Sequence, residues 1–193
     1  MYTERYVEVD GVSVRYAHAG QGTPLVHVRA AGGLTSAPAD DLLAQQFRVI
    51  ALEVPAHGPT LEQVVGRLEL ADFNLMGTGD ASAAAIALAL AEPERVRALV
   101  LESPVAPPQD LQPRLRELST PTLVLFGTAD RAAAQDAGRV YTGLIPNSHL
   151  VFVYDAAAAI GHDRPEAFAE VVADFLERHE AFIISRTPTV IHP

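Results

Sequence analysis

At 193 residues, 49% of them hydrophobic and 20% charged, the chain fits one soluble globular domain, 1–193, with a sizeable core. A formal net charge of −10 disfavours nucleic acid or an anionic membrane as a partner. The absence of cysteine excludes a disulfide, a thiolate nucleophile and a cysteine-ligated metal.

The N-terminal residues Met1-Tyr2-Thr3-Glu4-Arg5 run directly into a strand pattern, without the apolar core of a signal peptide. No run approaches the roughly 18 apolar residues of a membrane span, so a cytoplasmic protein is expected. Residues 6–9 and 12–16 alternate around Asp10-Gly11, a strong hairpin signal. Residues 24–29 and 47–54 then read as strands, joined by a helical connection over 40–46. A short helix is expected at 60–68, a strand at 73–76, an alanine-rich helix at 82–91 and a buried strand at 96–102. Residues 104–113, with four prolines, form the one obvious linker, and it is short. A strand over 122–126, a helix over 132–142, a strand over 149–154 and an amphipathic helix over 164–178 complete the pattern. An antiparallel hairpin followed by alternating β and α units predicts an α/β protein with a mostly parallel sheet and helices on both faces. Residues 181–193 extend beyond the last helix; their β-branched, apolar character suits packing against the body or a second subunit, so a homodimer is one expectation. No His/Asp/Glu cluster has metal-ligand spacing and no glycine-rich phosphate motif occurs, so no metal and no cofactor is expected.

Five segments carry a resemblance. They are Gly20-Gln21-Gly22-Thr23-Pro24-Leu25-Val26; Phe47-Arg48-Val49-Ile50-Ala51-Leu52-Glu53-Val54-Pro55-Ala56-His57-Gly58; residues 93–104 (PERVRALVLESP); residues 121–130 (PTLVLFGTAD); and Arg164-Pro165-Glu166-Ala167-Phe168. In this order they resemble the α/β-hydrolase superfamily over nearly the whole chain, with the nearest likeness to bacterial esterase-like and C–C-bond hydrolase-like members. The resemblance implies a three-layer sandwich of about eight strands with an N-terminal antiparallel hairpin. Between residues 104 and 121 there is too little chain for the helical lid of capped members, so no cap domain is expected.

Gly77-Thr78-Gly79-Asp80-Ala81 stands where that superfamily has G-x-S-x-G, the strand–turn–helix elbow that exposes a nucleophile. Pro93 follows Gly77 by 16 positions (93 − 77), the family's usual register, so Gly79 occupies the nucleophile position and has no side chain to attack with. Ser82 follows three positions later, either as a displaced nucleophile or as a small residue where helix meets strand. The family's spacing from catalytic histidine to the last-helix proline, counted back from Pro165, falls on Ala158, within a segment like a "VYDAGHAI" motif that has lost its histidine. His162 is then expected at the helix entrance, with the site as its other location. Asp130 matches the position of the triad acid, where a carboxylate also caps a following helix. Arg29-Ala30 replaces the His-Gly pair that helps to bind the oxyanion; the Arg29 guanidinium could bind a carboxylate or enolate, or pair with Asp80 or Glu53.

The rim above the strand ends is expected to gather Arg29, Glu53, His57, Asp80, Glu102, Ser103 and Asp130. Asp80, just after Gly79, is read either as an acid–base group working with Arg29 or as a helix-capping carboxylate. His27 alternates along its strand and reads as packed. The expected site set is therefore Asp130, Asp80 and Arg29, with Gly79 and Ala158 at the positions where the resemblance implies a nucleophile and a base. Loss of either group from such a triad costs many powers of ten in rate. The expected function is a degenerate hydrolase-like protein that binds a small molecule or a partner, or a non-hydrolytic catalyst such as a cyclase. The alternative is an esterase or C–C-bond hydrolase of altered mechanism.

Overall fold

The computed structural model describes residues 2–30, 34, 36–53, 59–107, 109–130, 132–182 and 189–191. Strands β1 (Thr3–Val9) and β2 (Val12–Ala19) form the predicted hairpin. Asp10 and Gly11 both take left-handed backbone angles (φ 49° and 80°), the geometry that a two-residue turn between twisted strands demands. Then follow β3 (Pro24–Arg29), α1 (Pro38–Leu43), β4 (Arg48–Glu53), α2 (Leu61–Arg67) and β5 (Phe73–Thr78). A 3₁₀ turn, Gly79–Ala81, leads from β5 directly into α3 (Ser82–Ala91). The remainder is β6 (Val96–Glu102), α4 (Gln112–Leu115), β7 (Thr122–Gly127), α5 (Ala132–Leu144), β8 (Ser148–Val153), α6 (Ile160–Asp163), α7 (Pro165–Arg178) and β9 (Thr189–Ile191).

The strands form one sheet in the order β1-β2-β4-β3-β5-β6-β7-β8-β9. Only β2 runs antiparallel to its neighbours, β1 and β4; all other pairings are parallel. Strand residues alternate between two cores, as a sheet covered on both faces requires. Val26, Val28, Leu75, Leu99 and Leu101 pack with α2, α3 and α5. Leu25, Met76, Val100, Leu123 and Val151 pack with α1, α6 and α7. Gly77 lets α3 lie close on β5: a Cβ there would come within 2.8 Å of Ser82 Cα and 2.9 Å of Ala85 Cβ.

Element positions agree with expectation, and the boundaries move for local reasons. Helix α1 begins at Pro38, before the expected 40, because proline suits the first helical position and Asp40 bonds back to the Ala37 N–H. Helix α2 starts with a reciprocal cap, in which Thr60 and Gln63 exchange side-chain to backbone bonds of 3.3 and 2.8 Å. The sheet has nine strands where about eight were expected, because β9, from the C-terminal extension, pairs in parallel with β8. Ahead of it, Phe182 is buried edge-on against Phe175 and His149, ring centroids 5.3 Å away in each case. Between β6 and β7 the described residues hold one element, the single-turn α4. Among the described residues no helix is long and apolar enough to cross a membrane.

Candidate functional site

The turn after β5 keeps the shape of an elbow. Gly79 has φ +56°, in the left-handed region that costs an ordinary residue about 1–2 kcal/mol, and a Cβ on it would meet no atom of the described residues within 4 Å. The backbone conformation of an exposed nucleophile is thus present with open space where its side chain would project. Ser82 faces the other way. It is fully buried, and its hydroxyl donates to the Gly77 carbonyl at 3.1 Å, which ties α3 to the end of β5.

Beneath the elbow lies a closed layer of polar side chains. The positions two residues before His27, Thr78 and Glu102 are Leu25, Met76 and Val100, all in the core against α1, α6 and α7. Strand alternation therefore turns His27, Thr78 and Glu102 to that same face, with Arg29 two residues beyond His27. Asp40 reaches them from α1. His27 Nδ1 is 3.0 Å from Asp40 Oδ1, and His27 Nε2 is 2.8 Å from Thr78 Oγ1. The Thr78 hydroxyl donates to Glu102 Oε2 at 2.8 Å, and Glu102 Oε1 accepts the Gly161 N–H at 3.0 Å. Arg29 Nη2 donates to Asp40 Oδ2, which also accepts the Ala37 N–H at 2.6 Å. His27, Asp40, Glu102 and Arg29 are all buried, so two carboxylates and two basic side chains compensate each other where water is excluded.

Proton positions follow from the partners. A carboxylate only accepts, so the Thr78 proton points to Glu102 and the hydrogen between Thr78 and His27 belongs to Nε2. Nδ1 has Asp40 Oδ1 and Arg29 Nη2 at 3.0 Å and Arg29 Nε at 3.4 Å, and cannot donate to the carboxylate while accepting from the guanidinium. Donation to the carboxylate is the charge-assisted choice, and Arg29 keeps the second Asp40 oxygen. Burial alone would raise the Asp40 pKa. The charge and hydrogen bond of His27, the Arg29 guanidinium and the Ala37 N–H outweigh burial and hold the carboxyl well below its ordinary 3.8. Tyr2 lies within the field of this layer. Burial, then the charges of Asp40 and Asp41, push its phenol well above the ordinary range, with Arg29 acting in the opposite sense.

Of the residues singled out by sequence, Arg29 and Glu102 enter this layer. Arg29 pairs with Asp40, a residue of the helix that follows β3. Asp80 is exposed in the 3₁₀ turn. Asp130 is half-buried in the turn after β7, where its N–H bonds to the Gly127 carbonyl at 3.2 Å. Glu53 ends β4 and accepts the Leu34 N–H at 3.3 Å, with Arg15 at 3.6 Å. Ser103, just past β6, has φ +42°, and its buried hydroxyl has no hydrogen-bond partner among the described residues. His57 lies outside the described residues. Ala158 is exposed in the loop between β8 and α6, and His162 is exposed on α6. That loop is held at two adjacent residues, by the Ala129 N–H on the Ala156 carbonyl at 2.9 Å and by Asp163 on the Ala157 N–H at 2.8 Å. Asp40, Thr78 and the central place of His27 were not found by sequence reasoning. The available signal was strand alternation, which aligns His27 and Thr78 on one face.

No family model matches the chain. Over 69 residues it is 30% identical to "Uncharacterized hydrolase YugF" of Bacillus subtilis (strain 168). That match covers 35% of this chain and 25% of the relative, so the chain spans about a quarter of the curated relative it matches. Solved structures align almost end to end. A serine hydrolase involved in carbazole degradation (CarC) gives a TM-score of 0.78 at 18% identity, covering 92% of this chain and 99% of that one. Carboxylesterase CesB from Bacillus subtilis gives 0.76 at 17% identity, covering 91% and 92%. The meta-cleavage product hydrolase CumD from Pseudomonas fluorescens IP01 gives 0.75 at 15% identity, covering 90% and 97%. These likenesses establish the fold, while function rests on the site.

Proposed function

We propose that this protein, built on the α/β-hydrolase fold, holds a small ligand over the elbow and does not turn esters over by a Ser–His–Asp route. The observation that carries this reading is Gly79: an elbow conformation at φ +56° with no atom of the described residues within 4 Å of its Cβ position and no nucleophile on it. The exposed Ala158 supports it, since an alanine at the position of the base can take no proton. The two buried carboxylates, Asp40 and Glu102, are engaged by Arg29, His27, Thr78 and backbone N–H groups, which suits them to holding the site's shape.

The test restores the missing groups. Wild-type protein mixed with excess p-nitrophenyl acetate is expected to show no steady-state release of p-nitrophenolate above buffer. Gly79→Ser combined with Ala158→His is expected to raise steady-state turnover by about 10²-fold or more, the lower range for a positioned general base. Sustained turnover by the wild type at a rate matching the double variant would overturn the reading.

A further inference from the structure

The Thr78 hydroxyl sits between two groups that activate an oxygen nucleophile. Its proton is held by Glu102 Oε2 at 2.8 Å, and His27 Nε2–H is 2.8 Å from the same oxygen. His27 is itself oriented by Asp40 at 3.0 Å. Nucleophile, base and an oriented donor within hydrogen-bond reach form the arrangement by which weak hydroxyl nucleophiles are activated. Thr78 is half-buried and immediately precedes Gly79, whose Cβ position has no atom of the described residues within 4 Å. We propose that Thr78 is an acyl acceptor, taking the acyl group of an activated ester or thioester bound over the elbow.

The step balances without any further reactant. Thr78 Oγ1 forms a bond to the acyl carbon while its proton moves to Glu102 Oε2. The His27 Nε2–H supports the charge on Oγ1 as that proton shifts. The tetrahedral intermediate then re-forms its carbonyl and expels the phenolate or thiolate. That leaving group departs as an anion and needs no acid. The products are acyl-Thr78, a neutral Glu102 carboxyl and the released anion. With Ala158 at the base position, no imidazole stands there to activate a water against the new ester. The expected behaviour is one capture per chain rather than turnover, which goes beyond ligand binding and is compatible with it.

The sequence favours a clean experiment, because the chain contains neither lysine nor cysteine to take up acyl groups non-specifically. Wild-type protein is incubated with p-nitrophenyl acetate, and p-nitrophenolate release, intact mass and peptide mass are followed together. A burst of one equivalent is expected, with one acetyl group on the peptide containing Thr78. Thr78→Val should abolish the adduct, Thr78→Ser should retain it at residue 78, and Glu102→Gln should slow the burst by about 10²-fold. An adduct mapped to another residue, no adduct at all, or a burst unchanged in Thr78→Val overturns the proposal. If Thr78→Val does not fold, peptide mapping of the wild type and of Thr78→Ser decides the matter. Absence of a burst leaves the binding reading intact, whereas steady-state turnover without an adduct at Thr78 removes both.

Discussion

Asp40 is the residue on which most of the buried layer converges, since it meets His27, Arg29 and the Ala37 N–H at once. Removing its charge takes the carboxylate away from two basic side chains, a loss that costs about 3–5 kcal/mol for buried pairs. We expect Asp40→Asn to lower unfolding free energy by about 3 kcal/mol at neutral pH, read from urea denaturation. The pH dependence has a defined sign. In the unfolded chain the carboxyl titrates at its ordinary 3.8; in the fold it titrates lower. Its stabilisation is therefore complete above the unfolded value and lost as pH falls below it toward the folded one. Wild type and Asp40→Asn should accordingly converge as acid is added below pH about 4, and a constant gap down to pH 3 would contradict the assignment. None of this was legible from a single sequence. His27, Asp40, Thr78 and Glu102 belong to four separate elements, and pattern reading assigns each side chain a face without saying which helix residue arrives there. Gly79 and Ala158 were singled out from motif spacing, and the structure places them in the turn after β5 and in the exposed loop before α6.

The elements themselves were readable where a local rule dominates. Hairpin, cap and helix-start positions follow from Asp10-Gly11, Thr60 with Gln63, and Pro165, each satisfied by residues a few positions away. The strand ends were less so: β5 runs on to Thr78, two residues beyond its apolar stretch, because pairing with β6 continues through Gly77↔Leu101 and Thr78↔Glu102. That extension places the Thr78 hydroxyl beside Glu102. Gly77 makes the geometry achievable, since a Cβ there would press on backbone as well as side chain of α3. Gly77→Ala is expected to cost about 1–3 kcal/mol, the usual penalty of overpacking, and to lower the midpoint of thermal unfolding. An unchanged midpoint would show that α3 can move away from β5 freely.

Across the whole molecule, the sheet is long in the direction perpendicular to its strands, with the β1–β2 hairpin at one edge and β9 at the other. The parallel centre came from the alternation of β and α units; the ninth strand did not, because three residues of β-branched character in a segment rich in prolines give a weak signal. Phe182 joins that segment to the body through its edge-on contacts with Phe175 and His149. Phe182→Ala should destabilise by about 3–5 kcal/mol in chemical denaturation, the range for removing a buried aromatic ring; a loss well under 1 kcal/mol would mean that this end of the chain contributes little to the core. The bond from the Gly161 N–H to Glu102 has a wider consequence. One carboxylate grips the end of β5 with one oxygen and the start of α6 with the other. Neutralising that carboxylate weakens its hold on both, so chemistry at the threonine would slacken the helix, and strain on the helix would alter the threonine. The carboxylate is a shared hinge pin, and the end of β5 and the start of α6 move on it together.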